Sequence, residues 1–252
     1  QICDTGACIP PILSDTGDKP APTTAYELTF VDPADPVKAA QKRLDLATNY
    51  SELLAAVDIP DSAADGQIDA AVGGGVSYTH YLTSVPYYLQ ERSYWCGPAT
   101  TRQIAGFFNS SPPSQTFMAD KLGTTRDGTW FPMVAKVMND RRPNDGPWLL
   151  DDIETHGDLI SRMDYGYNNR TPGALHVKLL KTFYNYYAFD HDGHIATSSG
   201  LRRNGKRYFG GYTDPYNEAH YRSGGASTGG FRENRIFNLY DATIANSADM
   251  IF

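Results

Sequence analysis

The spacing of apolar residues changes once along this chain, and that change limits the fold more than any other feature. Val37, Ala40, Leu44 and Ala47, then Leu53, Leu54 and Val57, recur at helical intervals and predict one or two amphipathic helices over residues 36–57. A second strong start lies at Cys96-Gly97-Pro98, where proline suits a first helical turn. Thr101, Ile104, Ala105 and Phe108 continue one face of that helix until Asn109-Ser110-Ser111-Pro112-Pro113 stops it. Helices are also expected over 114–122, 130–139 and 151–162. Beyond residue 174 the chain turns to short, aromatic-rich runs, 175–181, 182–189, 194–199, 207–212 and 235–239, which read as strands. Helices first and strands afterwards are the order of an α+β fold with an antiparallel sheet.

The flanking composition divides the chain. Residues 1–24 are rich in Pro, Asp, Thr and Gly without periodicity and read as an arm, 26–31 as a short strand, and the Pro, Asp, Ser, Gly and Ala of 58–76 as a boundary. The division expected is an N-terminal arm with a helical accessory segment, 1–76, and a larger domain, 77–252. The first part suits either a piece packed on that domain or a propeptide-like segment covering it. With 40% hydrophobic and 20% charged residues the chain is not globally disordered. Its net charge of −7 argues against nucleic acid as a partner. No apolar run approaches the roughly 18 residues of a membrane span.

Three cysteines occur, and two of them, Cys3 and Cys8, bracket a short glycine-containing loop. A disulfide there is the preferred reading over free thiols, and it implies an oxidising compartment. Together with a chain that starts at Gln1, this leads us to expect a secreted, extracellular protein. Cys96 is then the odd cysteine, either buried and inert or kept for chemistry.

The neighbours of Cys96 favour chemistry. A thiol at a helix N-terminus feels the partial positive charge of unsatisfied N–H groups, which favours thiolate. Gln90, six residues upstream, has an amide suited to a developing oxyanion beside the Cys96 backbone N–H. Downstream, Gly193-His194 opens a strand, and Asp214-Pro215 ends the next one twenty residues later, where a carboxylate can orient the far imidazole nitrogen. His191 competes with His194, but Asp190-His191-Asp192-Gly193 reads as the turn before the strand, so His194 is preferred.

The order Gln, Cys-Gly-Pro, Gly-His, Asp-Pro resembles the papain-like superfamily. The string Val85-Pro86-Tyr87-Tyr88-Leu89-Gln90 followed by Cys96-Gly97-Pro98-Ala99 is most similar to the bacteriocin-processing (double-glycine) peptidases, family thirty-nine of the cysteine peptidases, and their secreted stand-alone relatives. Lys121-Leu122-Gly123-Thr124 and Asp127-Gly128-Thr129 resemble that family's connection between its second and third helices. The resemblance implies a papain-like α+β fold, with the nucleophile helix in its N-terminal half and His and Asp on a C-terminal antiparallel sheet. It also implies Cys96 as nucleophile, His194 as general base and acid, Asp214 as orienting residue and Gln90 as oxyanion donor. The activity implied is hydrolysis of a peptide or protein substrate through an acyl-thioester. A thiol acyltransferase of transglutaminase type or a cell-wall amidase is the alternative, and a non-catalytic binding module the last.

No cofactor or metal is expected. Asp190, Asp192, Asp214, Asn217 and Glu218 lack an EF-hand spacing, and the histidines at 80, 156, 176 and 220 form no zinc pattern. The tyrosine run 184–187 suits core or sheet surface better than a groove, and Gly224-Gly225 with Gly229-Gly230 mark a loop read as mobile. Nothing in the sequence sets the oligomeric state.

Overall fold

A computed structural model of the protein describes residues 36–56 and 77–252, apart from 143 and 206, and the side chains of 36–47 and 77–252. The Cys3–Cys8 pairing, the strand at 26–31 and the boundary at 58–76 lie outside the described residues. Seven helices and seven strands are seen: α1 (Pro36–Ala56), β1 (Tyr78–Tyr81), α2 (Cys96–Phe108), α3 (Gln115–Leu122), α4 (Pro132–Arg141), β2 (Leu150–Asp152), α5 (His156–Asn168), β3 (Gly173–Leu179), β4 (His191–Asn204), β5 (Arg207–Asp214), α6 (Glu218–Tyr221), β6 (Gly230–Arg235), α7 (Ile236–Ile244) and β7 (Asp249–Ile251). The fold is α+β, as the order of periodicities predicts.

All strand pairs are antiparallel, in the order β2-β7-β3-β4-β5-β6, and β4 organises the sheet. Its length lets β3 pair with residues 191–198 and β1 with 200–203 along one edge, while β5 takes the other. The handover from β3 to β1 falls at Gly200, whose φ of +103° and missing Cβ let the carbonyl of His80 approach to within 2.0 Å of where a Cβ would stand.

Both faces of the sheet are buried, because neighbouring strand residues point to opposite sides. Ala174, Ile195 and Ile251 join Cys96, Ile104, Met118, Phe131 and Val134 from α2, α3 and α4 on one face. Leu175, Ala196 and Met250 join Leu159, Met163, Leu239 and Ala242 from α5 and α7 on the other. Ala39 and Leu46 of α1 belong to this second cluster. Between them Lys42 reaches in and donates to the carbonyls of Pro147 and Phe252, each at 2.7 Å.

Three expectations are corrected. Residues 182–189 are turns rather than a strand. Tyr184 and Tyr187 are the buried positions, three apart, and the Lys181 N–H closes the loop onto Asp190 Oδ1 at 2.7 Å. The run 235–239 opens the helix α7, with Ile236, Leu239, Ala242 and Thr243 buried; five residues are too few to separate a period of 2 from one of 3.6. Nor is His191 in a turn, since it begins β4.

Candidate active site

Cys96 is the first residue of α2. Trp95 before it supplies no side-chain cap, and the first intrahelical bond runs from the Ala99 N–H to the Trp95 carbonyl at 3.0 Å. The positive end of the helix dipole therefore falls on the thiol-bearing residue without a side-chain acceptor to offset it. Gly97 keeps this start tight: a Cβ there would stand 2.3 Å from Thr129 Oγ1. One turn on, Thr100 Oγ1 donates to the Ile195 carbonyl at 2.9 Å, and Thr197 Oγ1 to Gln103 Oε1 at 2.6 Å, so α2 is bolted to β4 on both sides of Ile195. Cys96 is buried and in no disulfide.

The strand that receives these bonds also carries His194. Thr197 pairs with Thr213 across β4 and β5, which brings Asp214 out diagonally opposite His194. His194 Nε2 lies 2.9 Å from Asp214 Oδ1, both side chains are closed to solvent, and His194 Nδ1 is buried without a hydrogen-bond partner. Asp214 Oδ1 also accepts the Tyr216 N–H at 2.9 Å, and Oδ2 accepts the phenol of Tyr187. Burial first, then the charge of Asp214, pushes the Tyr187 phenol well above its ordinary range, so it remains a donor.

His191 forms a second pair beside the first. Its Nε2 lies 2.9 Å from Glu218 Oε1, which also accepts the Phe189 N–H at 2.9 Å; Oε2 accepts from Ala188 at 2.8 Å and Ala226 at 2.7 Å. Burial raises the Glu218 carboxyl, but these donors outweigh it and hold it below its ordinary value. Burial also lowers the His191 imidazole, against the pull of Glu218. Between the two pairs stands Tyr216, its ring 5.0 Å from His191 and 6.0 Å from His194, stacked between Tyr187 and Tyr221.

Gln90 is joined to the same neighbourhood through its backbone: its N–H donates to the Pro215 carbonyl at 2.9 Å, and its carbonyl accepts the Tyr221 phenol. Its side chain turns toward the loop leading to Cys96, with Nε2 donating to the carbonyls of Arg92 at 2.9 Å and Ser93 at 2.8 Å. Both amide hydrogens are thus committed to positioning that loop. The glycine-rich segment makes several hydrogen bonds to the same neighbourhood. Arg232 Nε donates to the Thr228 carbonyl at 2.6 Å, the Thr228 hydroxyl to the Tyr216 carbonyl at 3.0 Å, and Glu218 holds Ala226.

The structure therefore brings His194 and Asp214 into direct contact, brings Gln90 beside the segment that follows Asp214, and anchors the helix of Cys96 on the histidine's strand. Sequence reasoning missed Tyr187 and the four-donor role of Glu218. Tyr187 lies within a tyrosine run and Glu218 close to other polar and acidic residues, and no local pattern marks what either binds. Among the described residues no group of three or more His, Cys, Asp or Glu side chains is placed to hold a metal ion.

The α+β architecture with its antiparallel sheet is compatible with a papain-like fold. The family model described as Peptidase_C39 like family matches residues 82–226, more than half of the chain, and the protein belongs to that family. A search of curated proteins found no match. Membership in a peptidase family implies a protein substrate, and no helix among the described residues is long and apolar enough to cross a membrane.

Proposed function

We propose that the protein hydrolyses peptide bonds by a papain-like mechanism with Cys96 as nucleophile, His194 as general acid and base, and Asp214 as the orienting carboxylate. The observation that carries this reading is the His194–Asp214 contact at 2.9 Å, which leaves a buried imidazole nitrogen, Nδ1, without a partner on the strand that anchors α2. A histidine held through Nε2 presents the tautomer and orientation that a thiol partner needs.

In the first half-reaction the Cys96 thiolate adds to the scissile carbonyl. The negative charge on its oxygen is met by the Cys96 N–H and by Gln90 Nε2, which exchanges one of its loop carbonyls for the oxyanion. The carbon–nitrogen bond breaks as His194 gives its proton to the leaving amine, and an acyl-thioester remains. In the second half, His194 takes a proton from water, the hydroxide displaces the thiolate, and the acid product leaves. Because Cys96 and His194 are closed to solvent, substrate entry requires the surrounding loops to open.

The test is cleavage of an unfolded protein substrate by wild type, Cys96→Ala and His194→Ala, with and without an added amine. Loss of cleavage in both variants supports the reading, and retained cleavage in Cys96→Ala overturns it. An amine adduct in place of the free acid would move the activity to acyl transfer. We place the protein in an oxidising extracellular setting with Cys3 joined to Cys8. Peptide mapping that finds these two thiols free in protein recovered from its native medium would count against that placement.

A further inference from the structure

We propose that Tyr187 is a positioning residue of this site, holding Asp214 so that one particular oxygen faces His194; the inference rests on the reading above and extends it. The carboxylate of Asp214 is fully buried, and its two oxygens have different duties. Oδ1 accepts both His194 Nε2 and the Tyr216 N–H, at 2.9 Å each, whereas Oδ2 accepts the Tyr187 phenol. Without that phenol, Oδ2 would be a charged acceptor left unsatisfied among aromatic rings. A carboxylate torsion is soft and nearly two-fold, so the group would then turn to find other donors. Turning it releases the imidazole.

Tyr187 is itself fixed from three directions. Its ring stacks on Tyr216 at an interplanar angle of 7° and meets Tyr184 edge-on at 78°. The turn that carries it is pinned at the next two residues, Ala188 and Phe189, whose N–H groups both donate to Glu218. Glu218 in turn holds His191, three residues before His194 on the same strand, and Ala226 in the glycine-rich segment. A chain of contacts thus runs from Glu218 through the turn to Tyr187, then to Asp214 and His194. The role assigned to the phenol is that of a donor: its raised pKa keeps the proton on oxygen.

The experiment compares wild type with Tyr187→Phe in the full chain, reading kcat and KM for protein cleavage across pH, with thermal melting alongside. A positioning role predicts a loss in kcat of about tenfold, the scale of one buried hydrogen bond to a charged group. KM should stay within about twofold, and the basic limb of the pH profile should move to lower pH as the imidazolium loses its orienting carboxylate. A lowered melting temperature with an unaltered kcat and pH profile would make Tyr187 a packing residue and overturn the proposal. If Tyr187→Phe does not fold, 4-fluorophenylalanine installed at position 187 alone fills the place of the hydroxyl but cannot donate to Asp214. The basic limb should again move down, and a profile that stays in place overturns the proposal. Activity surviving in Cys96→Ala would instead defeat the peptidase mechanism itself, which these profiles do not address.

Discussion

His194 and His191 stand three residues apart on β4, and each has its Nε2 at 2.9 Å from a buried carboxylate, yet the two pairs are bonded differently. Glu218 is saturated: four donors fill its two oxygens, and three of them are backbone N–H groups that tie separate loops together. The oxygens of Asp214 accept from one backbone N–H, one phenol and His194, and the second nitrogen of His194 has no partner. A histidine–carboxylate contact therefore does not by itself mark a catalytic group. What separates the two is the hydrogen-bonding capacity left over and the place along β4, His194 lying just before Ile195 and Thr197, onto which Thr100 and Gln103 fasten the helix of Cys96.

The hardest test of this contrast is to remove each imidazole. His194→Ala should lower kcat/KM by about a thousandfold or more, as loss of a general base does in hydrolytic triads, whereas His191→Gln should cost less than about tenfold. Equal losses, measured on the same substrate, would erase the distinction between the pairs. The carboxylates should separate next. Asp214→Asn should leave a folded protein whose turnover is down by about a hundredfold or more. Glu218→Gln should show its damage in stability, by about 2–5 kcal/mol, because an amide group faces N–H donors it cannot accept. Denaturant unfolding of both variants beside their turnover distinguishes the two kinds of damage.

Acid should act through the His191–Glu218 pair. Burial holds the His191 imidazole below its ordinary 6.5, so the unfolded chain gains a proton that the folded chain refuses, and stability falls as pH drops below about 6.5. The Glu218 carboxyl is held below its ordinary 4.5 despite its burial, by its four donors. The stability it contributes is present above that value and lost as pH falls through it. The His191→Gln variant should flatten the upper of these two slopes and leave the lower one in place, which melting curves from pH 8 to pH 4 would check.

A last effect concerns α1. Burial lowers the Lys42 amine from 10.5 to about 7. Between those values the unfolded chain carries a proton that the folded chain lacks, so stability should rise with pH from about 7 toward 10.5. Lys42→Met should abolish that rise. A wild-type curve already flat over this range would show that the two carbonyls and the rings of Tyr165 and Phe252 hold Lys42 charged.

The parts of the site legible in the sequence are those with local signatures. Cys96-Gly97-Pro98 announces a helix start because proline and an uncapped first turn are properties of a few consecutive residues. Gly193-His194 and Asp214-Pro215 stand out because a turn precedes one strand and a proline closes the other. The helix at Ile236 is not legible because five residues cannot show whether apolar positions repeat every second or every third to fourth place, and the strand start at His191 is masked by Asp190, Asp192 and Gly193, which are turn-forming residue types. Gln90 was noticed for its amide, but its committed donors, the Arg92 and Ser93 carbonyls, appear only when the loop is folded.

By itself, then, the sequence determined the α+β class, the family and the residue types of the chemistry, because periodicity, turn residues and short motifs are written in neighbouring positions. Only the tertiary structure decided that the second nitrogen of His194 is buried without a partner, that Glu218 is saturated, and that a tyrosine 27 residues before Asp214 in the chain supplies the donor to its second oxygen. Those choices depend on strand register and on loops meeting across the sheet, and a hydrogen bond between distant residues leaves no mark on the spacing of either one.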